Sequence, residues 1–279
     1  MTVLVVVRPG ALTTVQDRGR AGLAHLGVPR SGALDPGAAG LANRLVGNPA
    51  GAAVLETTVD GVALRPAAGG GAASGAAVTV AVTGAPAPVR VAGRPVPWAA
   101  PVRVPPGAVL EVGAAVSGLR SYVAVRGGVA VPEVLGSRST DLLSGLGPPP
   151  LAAGDRLPVG PAPAGPVAGA DAHRLPAPPA ELVLPVVLGP RNDWFTAESV
   201  AALARSAYRV SPASNRIGLR TEAGPPLVRA RAGELPSEGM VLGAVQVPPD
   251  GLPVVFLADH PVTGGYPVLG VVPPAHLPA

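Results

Sequence analysis

Glycine and proline punctuate this chain at close intervals, 38 glycines and 37 prolines among 279 residues. Proline presets φ for a turn and glycine accepts the positive φ that tight turns need. Between them lie short β-type runs: Val3–Val7, Val54–Val59, Val78–Val82, Tyr122–Val125, Leu182–Leu188 and Val254–Leu257. Such runs, parted by turn residues, predict barrels or sandwiches. A Gly/Pro level this high also occurs in disordered chains. Here 48% of residues are hydrophobic, only 14% are charged and the mean hydropathy is +0.41, which argues for a packed core. Aromatics are 3%, so that core must be valine, leucine and alanine. The prediction is a mostly β protein with a few short helices.

Two helices stand out. In Asp35 to Gly47, Asp35 can cap, Pro36 occupies the first helical position and Gly47 can end the helix. Ala38, Leu41, Ala42 and Leu45 form its apolar stripe. The second is Thr196 to Tyr208, with Val200, Leu203 and Ala207 on one face. Pro148 to Pro179 is rich in Pro, Ala and Gly and reads as a linker. The expected division is an N-terminal β domain over 1–160, a linker over 161–180 and a C-terminal β domain over 181–279.

The chain has no lysine; all 21 basic residues are arginine. It therefore offers no biotinyl-lysine, no pyridoxal Schiff base and no Walker lysine. Biotin or ATP chemistry would need other groups or a partner protein. The net charge is +4 and the arginines are scattered, without a basic run interleaved with aromatics, so nucleic acid is not the expected partner. There is no cysteine, which excludes disulfides and a thiol nucleophile. Met1 to Val7 is too short for a signal-peptide apolar region. Ala67 to Val89 is uncharged but broken by Gly, Ser, Thr and Pro, so no membrane span is expected. The expectation is a cytoplasmic protein.

The polar groups that can carry chemistry fall in a few dense stretches. Gln246 precedes a Pro248-Pro249-Asp250-Gly251 turn. The run Val254 to Leu257 then delivers Asp259 and His260 to its end, followed by Thr263-Gly264-Gly265-Tyr266. Polar groups at the end of a rigid strand beside a Gly-Gly turn suit a binding or catalytic site; a plain hairpin is the bland alternative. Of the four histidines, His25 and His260 are the acid–base candidates; His173 and His276 read as solvated. None has metal-ligand spacing, so no metal site is expected. Glu238 and Asp250 flank the Gln246 strand as acid–base groups or turn carboxylates. Glu56, within an apolar strand pattern, either faces outward or is buried with a partner such as arginine. Arg138 and Arg216 can each grip a carboxylate in two-pronged fashion, or form structural ion pairs. Ser31 lies near the start of the Asp35 helix, where backbone amides can hold an anion. The Gly69–Gly75 run lacks the third glycine of a dinucleotide fingerprint and precedes a strand, so it reads as a loop.

The stretches Thr13–Arg20, His25–Pro29, Ser31–Asp35, Leu41–Asn48, Leu135–Asp141, Ser214–Gly218, SEGMVLGAVQVPPDG and LADHPVTGGYP occur in the order seen in one family. Together they resemble the family of 5-oxoprolinase C-type subunits, also called the allophanate hydrolase subunit 2 or biotin-dependent carboxyltransferase type. The resemblance implies two β-barrel-like domains of cyclophilin-like topology. It implies one component of an ATP-dependent 5-oxoprolinase that hydrolyses 5-oxo-L-proline to L-glutamate, with B-type and A-type 5-oxoprolinase proteins as partners. ATP would act in the complex, and no biotin would be attached to this chain. Within the resemblance, His25, Glu56, Glu238, Asp250, Asp259 and His260 are the catalytic candidates. Ser31, Arg138, Arg216, Gln246, Thr263, Gly264 and Tyr266 are the substrate-binding candidates. The alternatives are the carboxyltransferase of a biotin-dependent urea or amide carboxylase, and a non-catalytic regulator of a kinase-inhibitor-type partner. Family members continue through a further strand after the GGYP stretch; without it the sheet would keep an open edge.

Overall fold

The valine-rich runs become strands, most of them closed by a glycine or proline turn. The structure, a computed structural model, describes residues 1–69, 75–167 and 179–277. Packing divides the chain into two units. Unit 1 holds Met1–Gly19, Asp35–Thr140 and Gly145–Pro179; unit 2 holds Arg20–Leu34, Asp141–Ser144 and Ala180–Ala279. The single cut expected at 161–180 omits the two short excursions into unit 2. Their hydrogen bonds explain the assignment: Ser31 N–H donates to Ala258 O, and Leu142 N–H donates to Asp259 Oδ2.

Unit 1 contains two antiparallel sheets. One has six strands in the order Arg156–Pro158, Thr2–Arg8, Ala63–Ala68, Leu110–Val112, Val89–Val91, Arg94–Val96. The other has five, in the order Leu12–Gln16, Val54–Thr58, Arg120–Val125, Val78–Gly84, Val102–Val104. One core takes alternate side chains from both, among them Leu4, Val6, Val15, Leu55, Leu64, Val82, Leu110 and Val123. Burying each such side chain is worth about 1.5–3 kcal/mol. The stretch read as linker contributes to this core. Leu151 and Leu157 are buried in it, and Arg156–Pro158 pairs with Thr2–Arg8. A three-residue strand is too short to show a period, which is why composition hid it.

Helix α1 spans Pro36–Leu45, and the Asp35 carboxylate caps it by accepting from Ala38 N–H at 2.8 Å. Ala38, Leu41, Ala42 and Leu45 are buried, as their spacing predicts. Helix α2 spans only Ala197–Leu203, capped by Thr196. It stops well short of Tyr208 because Arg209–Val210 pairs as a strand with Thr221–Glu222.

The sheet of unit 2 has six strands in the order Val187–Leu188, Val268–Val271, Ala244–Gln246, Val254–Phe256, Gly218–Glu222, Arg209–Val210. The Leu182–Leu188 run yields a strand only at its end; Pro185 has no N–H to give a ladder. Val268–Val271 follows the GGYP turn and is flanked by partners on both sides, so this position is not an open edge. A two-stranded ribbon pairs Glu238–Gly239 with Thr263–Gly264. His173 and most of the Gly69–Gly75 loop lie outside the described residues.

Candidate functional site

Strand Val254–Phe256 is the scaffold of the densest polar group in unit 2. Just beyond it, Asp259 and Arg216 form a fully buried pair, both at 0% exposure. Arg216 Nε and Nη2 donate to the two Asp259 oxygens at 2.9 Å each. Arg216 Nη2 also donates to Gly32 O at 2.7 Å, and Asp259 Oδ2 accepts from Leu142 N–H at 3.1 Å. Burial pushes the Asp259 carboxyl above its usual range; the Arg216 charge and hydrogen bonds oppose this, and nearby Asp141 adds to the rise. Around the pair, Ser31 Oγ and Asp141 Oδ2 are buried with no hydrogen-bond partner among the described residues. Unsatisfied buried groups are uncommon and mark places that need an explanation.

The same strand carries a second group. Gln246 lies opposite Val254, and Phe256 packs in one cluster with Met240, Ala244 and Val254. Gln246 Nε2 donates to Tyr266 O at 3.3 Å and sits 4.0 Å from Met240 Sδ. A Cβ at Gly264 would lie 2.7 Å from that Nε2, so the glycine makes room for the amide. His260, 6% exposed, stacks on the Phe256 ring with centroids 6.0 Å apart. Its Nδ1 lies 2.7 Å from Pro261 O. A carbonyl only accepts, so Nδ1 carries the proton and Nε2 keeps a lone pair in the neutral ring. In that tautomer Nε2 can accept a hydrogen bond.

The other candidates take varied places. His25 is exposed on a short 3-10 turn, its Nδ1 3.1 Å from Gly22 O. It shares unit 2 with Gln246 and His260, with no bond to either among the described residues. The Ser31 and Asp35 amides do not form an anion cradle: Ser31 N–H goes to Ala258 O, and Asp35 N–H goes to the Tyr122 hydroxyl. Glu238 is gripped by Arg191, whose hydrogen bonds hold its carboxyl below the usual range. Asp250 accepts from Leu252 N–H inside its turn and is exposed. Thr263 and Tyr266 are also exposed.

In unit 1, Glu56 is 1% exposed and has the expected arginine. Arg120 Nη1 lies 3.3 Å from Oε1, and the Tyr122 hydroxyl donates to Oε2 at 3.0 Å. Burial, then the Glu56 charge, raises the Tyr122 pKa well above its usual value, so the phenol stays protonated and donates. Strand register lines up Thr14, Glu56, Tyr122 and Thr83 in one polar row. Arg138 donates through Nε to Val131 O and pairs with Glu133, so its fork does not stand open; the Arg216 fork is likewise filled by Asp259. Sequence reasoning passed over Asp141, Phe256, Arg120 and Tyr122. Tyr122 lies directly opposite Glu56 in register, a signal that only a known pairing reveals. Among the described residues, no group of three or more His, Cys, Asp or Glu is placed to hold a metal, and no helix is long and apolar enough to cross a membrane.

Residues 26–279 match the carboxyltransferase domain family, subdomain A and B. The chain belongs to this family. The carboxyltransferase-domain chain is 37% identical to the C subunit of 5-oxoprolinase from Escherichia coli (strain K12), over 96% of its own length and 84% of that protein. Among solved structures, TTHA0988 aligns with a TM-score of 0.85 at 35% identity, covering 100% of this chain and 52% of that one. The K. lactis urea amidolyase aligns with a TM-score of 0.86 at 31% identity, covering 99% of this chain and 18% of that one. The carboxyltransferase-domain chain thus spans about half the length of TTHA0988 and a smaller share of urea amidolyase.

Proposed function

We propose that this chain is the C-type component of a 5-oxoprolinase complex that opens 5-oxo-L-proline to L-glutamate with ATP. The observation that carries this reading is the 37% identity spanning 84% of the E. coli C subunit, which is nearly end-to-end likeness. An unstrained lactam resists water because amide resonance protects its carbonyl. ATP, as co-substrate, supplies a phosphoryl group to the lactam oxygen, which removes the amide resonance. Water then adds at that carbon, and the C–N bond breaks with the nitrogen leaving as the amine. Hydrolysis of the resulting acyl phosphate releases phosphate and glutamate. The longer helix starts at Asp35, whose carboxylate occupies the end where a phosphate would sit, and the chain has no lysine. The nucleotide therefore belongs to a partner protein in this reading.

His260, just past the Val254–Phe256 strand, and Gln246 on the strand paired with it suit the lactam side of the reaction. Nε2 of His260 accepts the proton of the attacking water, while Nδ1–H stays on Pro261 O and holds the tautomer. Gln246, Gly264 and Ser31 orient the ring amide. A-type and B-type 5-oxoprolinase proteins complete the enzyme, in the cytoplasm.

The test is co-expression with the A-type and B-type proteins, followed by an assay of ATP-dependent glutamate release. The isolated chain should be inactive and the mixture active. His260→Ala should lower turnover by about 10²–10⁴-fold, the usual worth of a positioned proton-transfer group. Robust turnover by the chain alone sinks the multi-component reading. The second reading, a carboxyltransferase of a urea or amide carboxylase, is favoured by the TM-score of 0.86 to K. lactis urea amidolyase. Biotin would then ride on another chain or domain, since this one has no lysine. Avidin inhibition that free biotin prevents selects it.

A further inference from the structure

Ser31 has φ 56°, in the left-handed region that glycine occupies at no steric cost. A serine there is strained, and such strain persists only where neighbours over-determine it. Two bonds do so. The Ser31 amide is tied to Ala258 O at 3.0 Å, and the carbonyl of the next residue, Gly32, is gripped by Arg216 at 2.7 Å. Arg216 is in turn fixed by both oxygens of Asp259, and Asp259 holds the Leu142 amide next to Asp141. One buried pair therefore ties three chain segments that are distant in sequence to the residues leading into His260.

Stability alone does not account for the pair. Taking two charges out of water costs about as much as their attraction returns, and well-packed apolar residues often serve as well or better. An apolar pair has no directed bonds. It cannot hold the Gly32 carbonyl or the Leu142 amide, and it cannot keep a serine at φ 56°. Ser31 Oγ and Asp141 Oδ2, two of the buried polar atoms without a hydrogen-bond partner among the described residues, belong to residues next in sequence to the two groups that the pair holds, Gly32 O and Leu142 N–H.

We propose that Arg216 and Asp259 are positioning residues, a buried clasp that sets the directions of Ser31 Oγ and the Asp141 carboxylate against the chain segment that leads into His260. Neither touches the substrate. The clasp itself stands on the geometry; its kinetic consequence rests on the 5-oxoprolinase reading.

The experiment uses the full chain within its reconstituted complex. Asp259→Asn keeps the shape and removes the charge. Amide hydrogen exchange should accelerate at Ser31 and Leu142 by about tenfold or more, while Val123 in the unit 1 core keeps its rate; a tenfold change equals about 1.4 kcal/mol of local opening. In steady-state kinetics, kcat should fall about 10²-fold, with KM nearly unchanged, as expected when reacting groups are misplaced and not removed. Arg216→Lys is the second variant should Asp259→Asn fail to fold. It keeps the charge but lacks the fork, so Ser31 should loosen while Leu142 stays protected. Wild-type exchange at Ser31 in both variants overturns the clasp. A rise in KM with kcat intact also overturns it, since that identifies direct substrate contact. A wild-type complex without activity on 5-oxoproline removes the functional reading and leaves the exchange result to decide the clasp.

Discussion

Asp17 in unit 1 and Asp259 in unit 2 are both carboxylates at the hub of a chain crossing, and their environments differ in kind. Asp17 accepts four hydrogen bonds, all from neutral donors: the Ser137 and Ser139 hydroxyls at 2.6 Å, Arg138 N–H at 2.7 Å and Gly19 N–H at 2.8 Å. Burial pushes its carboxyl up, but these bonds push it further down, and the net pKa is lowered. Asp259 has a full guanidinium in bidentate contact, and its pKa is nevertheless raised. Four well-aimed dipoles on a partly buried group outweigh desolvation. One cation on a fully buried group does not, because the cation too must leave water. Asp17 is thus a stabilising knot with a simple pH signature, whereas the Asp259 pair gives direction at little net gain in stability.

The largest expected effect tests the fully buried half of this contrast. Arg216→Met leaves Asp259 buried without its cation and should cost about 3–5 kcal/mol in urea unfolding. The paired variant Arg216→Met/Asp259→Leu should recover most of that loss. A cost below about 1 kcal/mol for the single change breaks the comparison, since the pair would then not be dry.

Next comes the neutral knot. Removing both hydroxyls with Ser137→Ala/Ser139→Ala should cost about 2–3 kcal/mol at neutral pH, the scale of hydrogen bonds to a charged group. The Asp17 pKa is lowered on folding. Its contribution is therefore present above the unfolded value of about 3.9 and is lost as pH falls through the folded value. The penalty of the double variant should shrink in acid. Asp259 has the opposite sign: its pKa is raised, so its contribution is present below about 3.9 and is lost as pH rises through its folded value. Stability profiles of Asp17→Asn and of the wild type across the acid range decide this. A penalty for the double variant that is independent of pH removes the neutral-donor account.

A smaller effect extends the comparison to an uncharged amide. Gly264→Ala places a methyl against Gln246 Nε2 and, at 3.2 Å, against Met240 Cε, both ends of flexible side chains. Loss of the bond to Tyr266 O should cost about 1 kcal/mol, read from thermal melts. No change in melting would mean that the amide is not held there. The smallest effect is His25→Ala. The ring is exposed, so stability should move by less than about 0.5 kcal/mol, and a larger loss would reveal a role that its surface position does not suggest.

Much of the local structure was legible in the residues. Asp35, Pro36 and the Ala38, Leu41, Ala42, Leu45 stripe specify α1 without help from the rest of the chain. The Pro248–Gly251 turn is legible for the same reason, with Gly251 at φ 78°. Glu56 is legible as a carboxylate in an apolar strand pattern that needs a partner such as arginine. Its second partner, Tyr122, is not, because a cross-strand neighbour is set by register and 66 residues separate the two. In sequence, Arg138 and Arg216 can equally grip a ligand's carboxylate or form structural ion pairs. Whether a guanidinium is free depends on which carbonyls and carboxylates tertiary folding brings to it, and both forks are engaged.

The sequence by itself determined that this is a mostly β, lysine-free and cysteine-free chain with two capped helices, and its ordered motifs resembled the right family. Those properties follow from local sterics, capping and residue inventory, which act within a few residues. Only the tertiary structure decided that Arg20–Leu34 and Asp141–Ser144 pack with the C-terminal unit, that a three-residue strand hides in the Pro-rich stretch, and that Ser31 is held in a strained turn by Arg216 and Asp259. Each of these depends on hydrogen bonds between groups far apart along the chain. Such bonds depend on which distant groups folding brings together, and no local pattern records that.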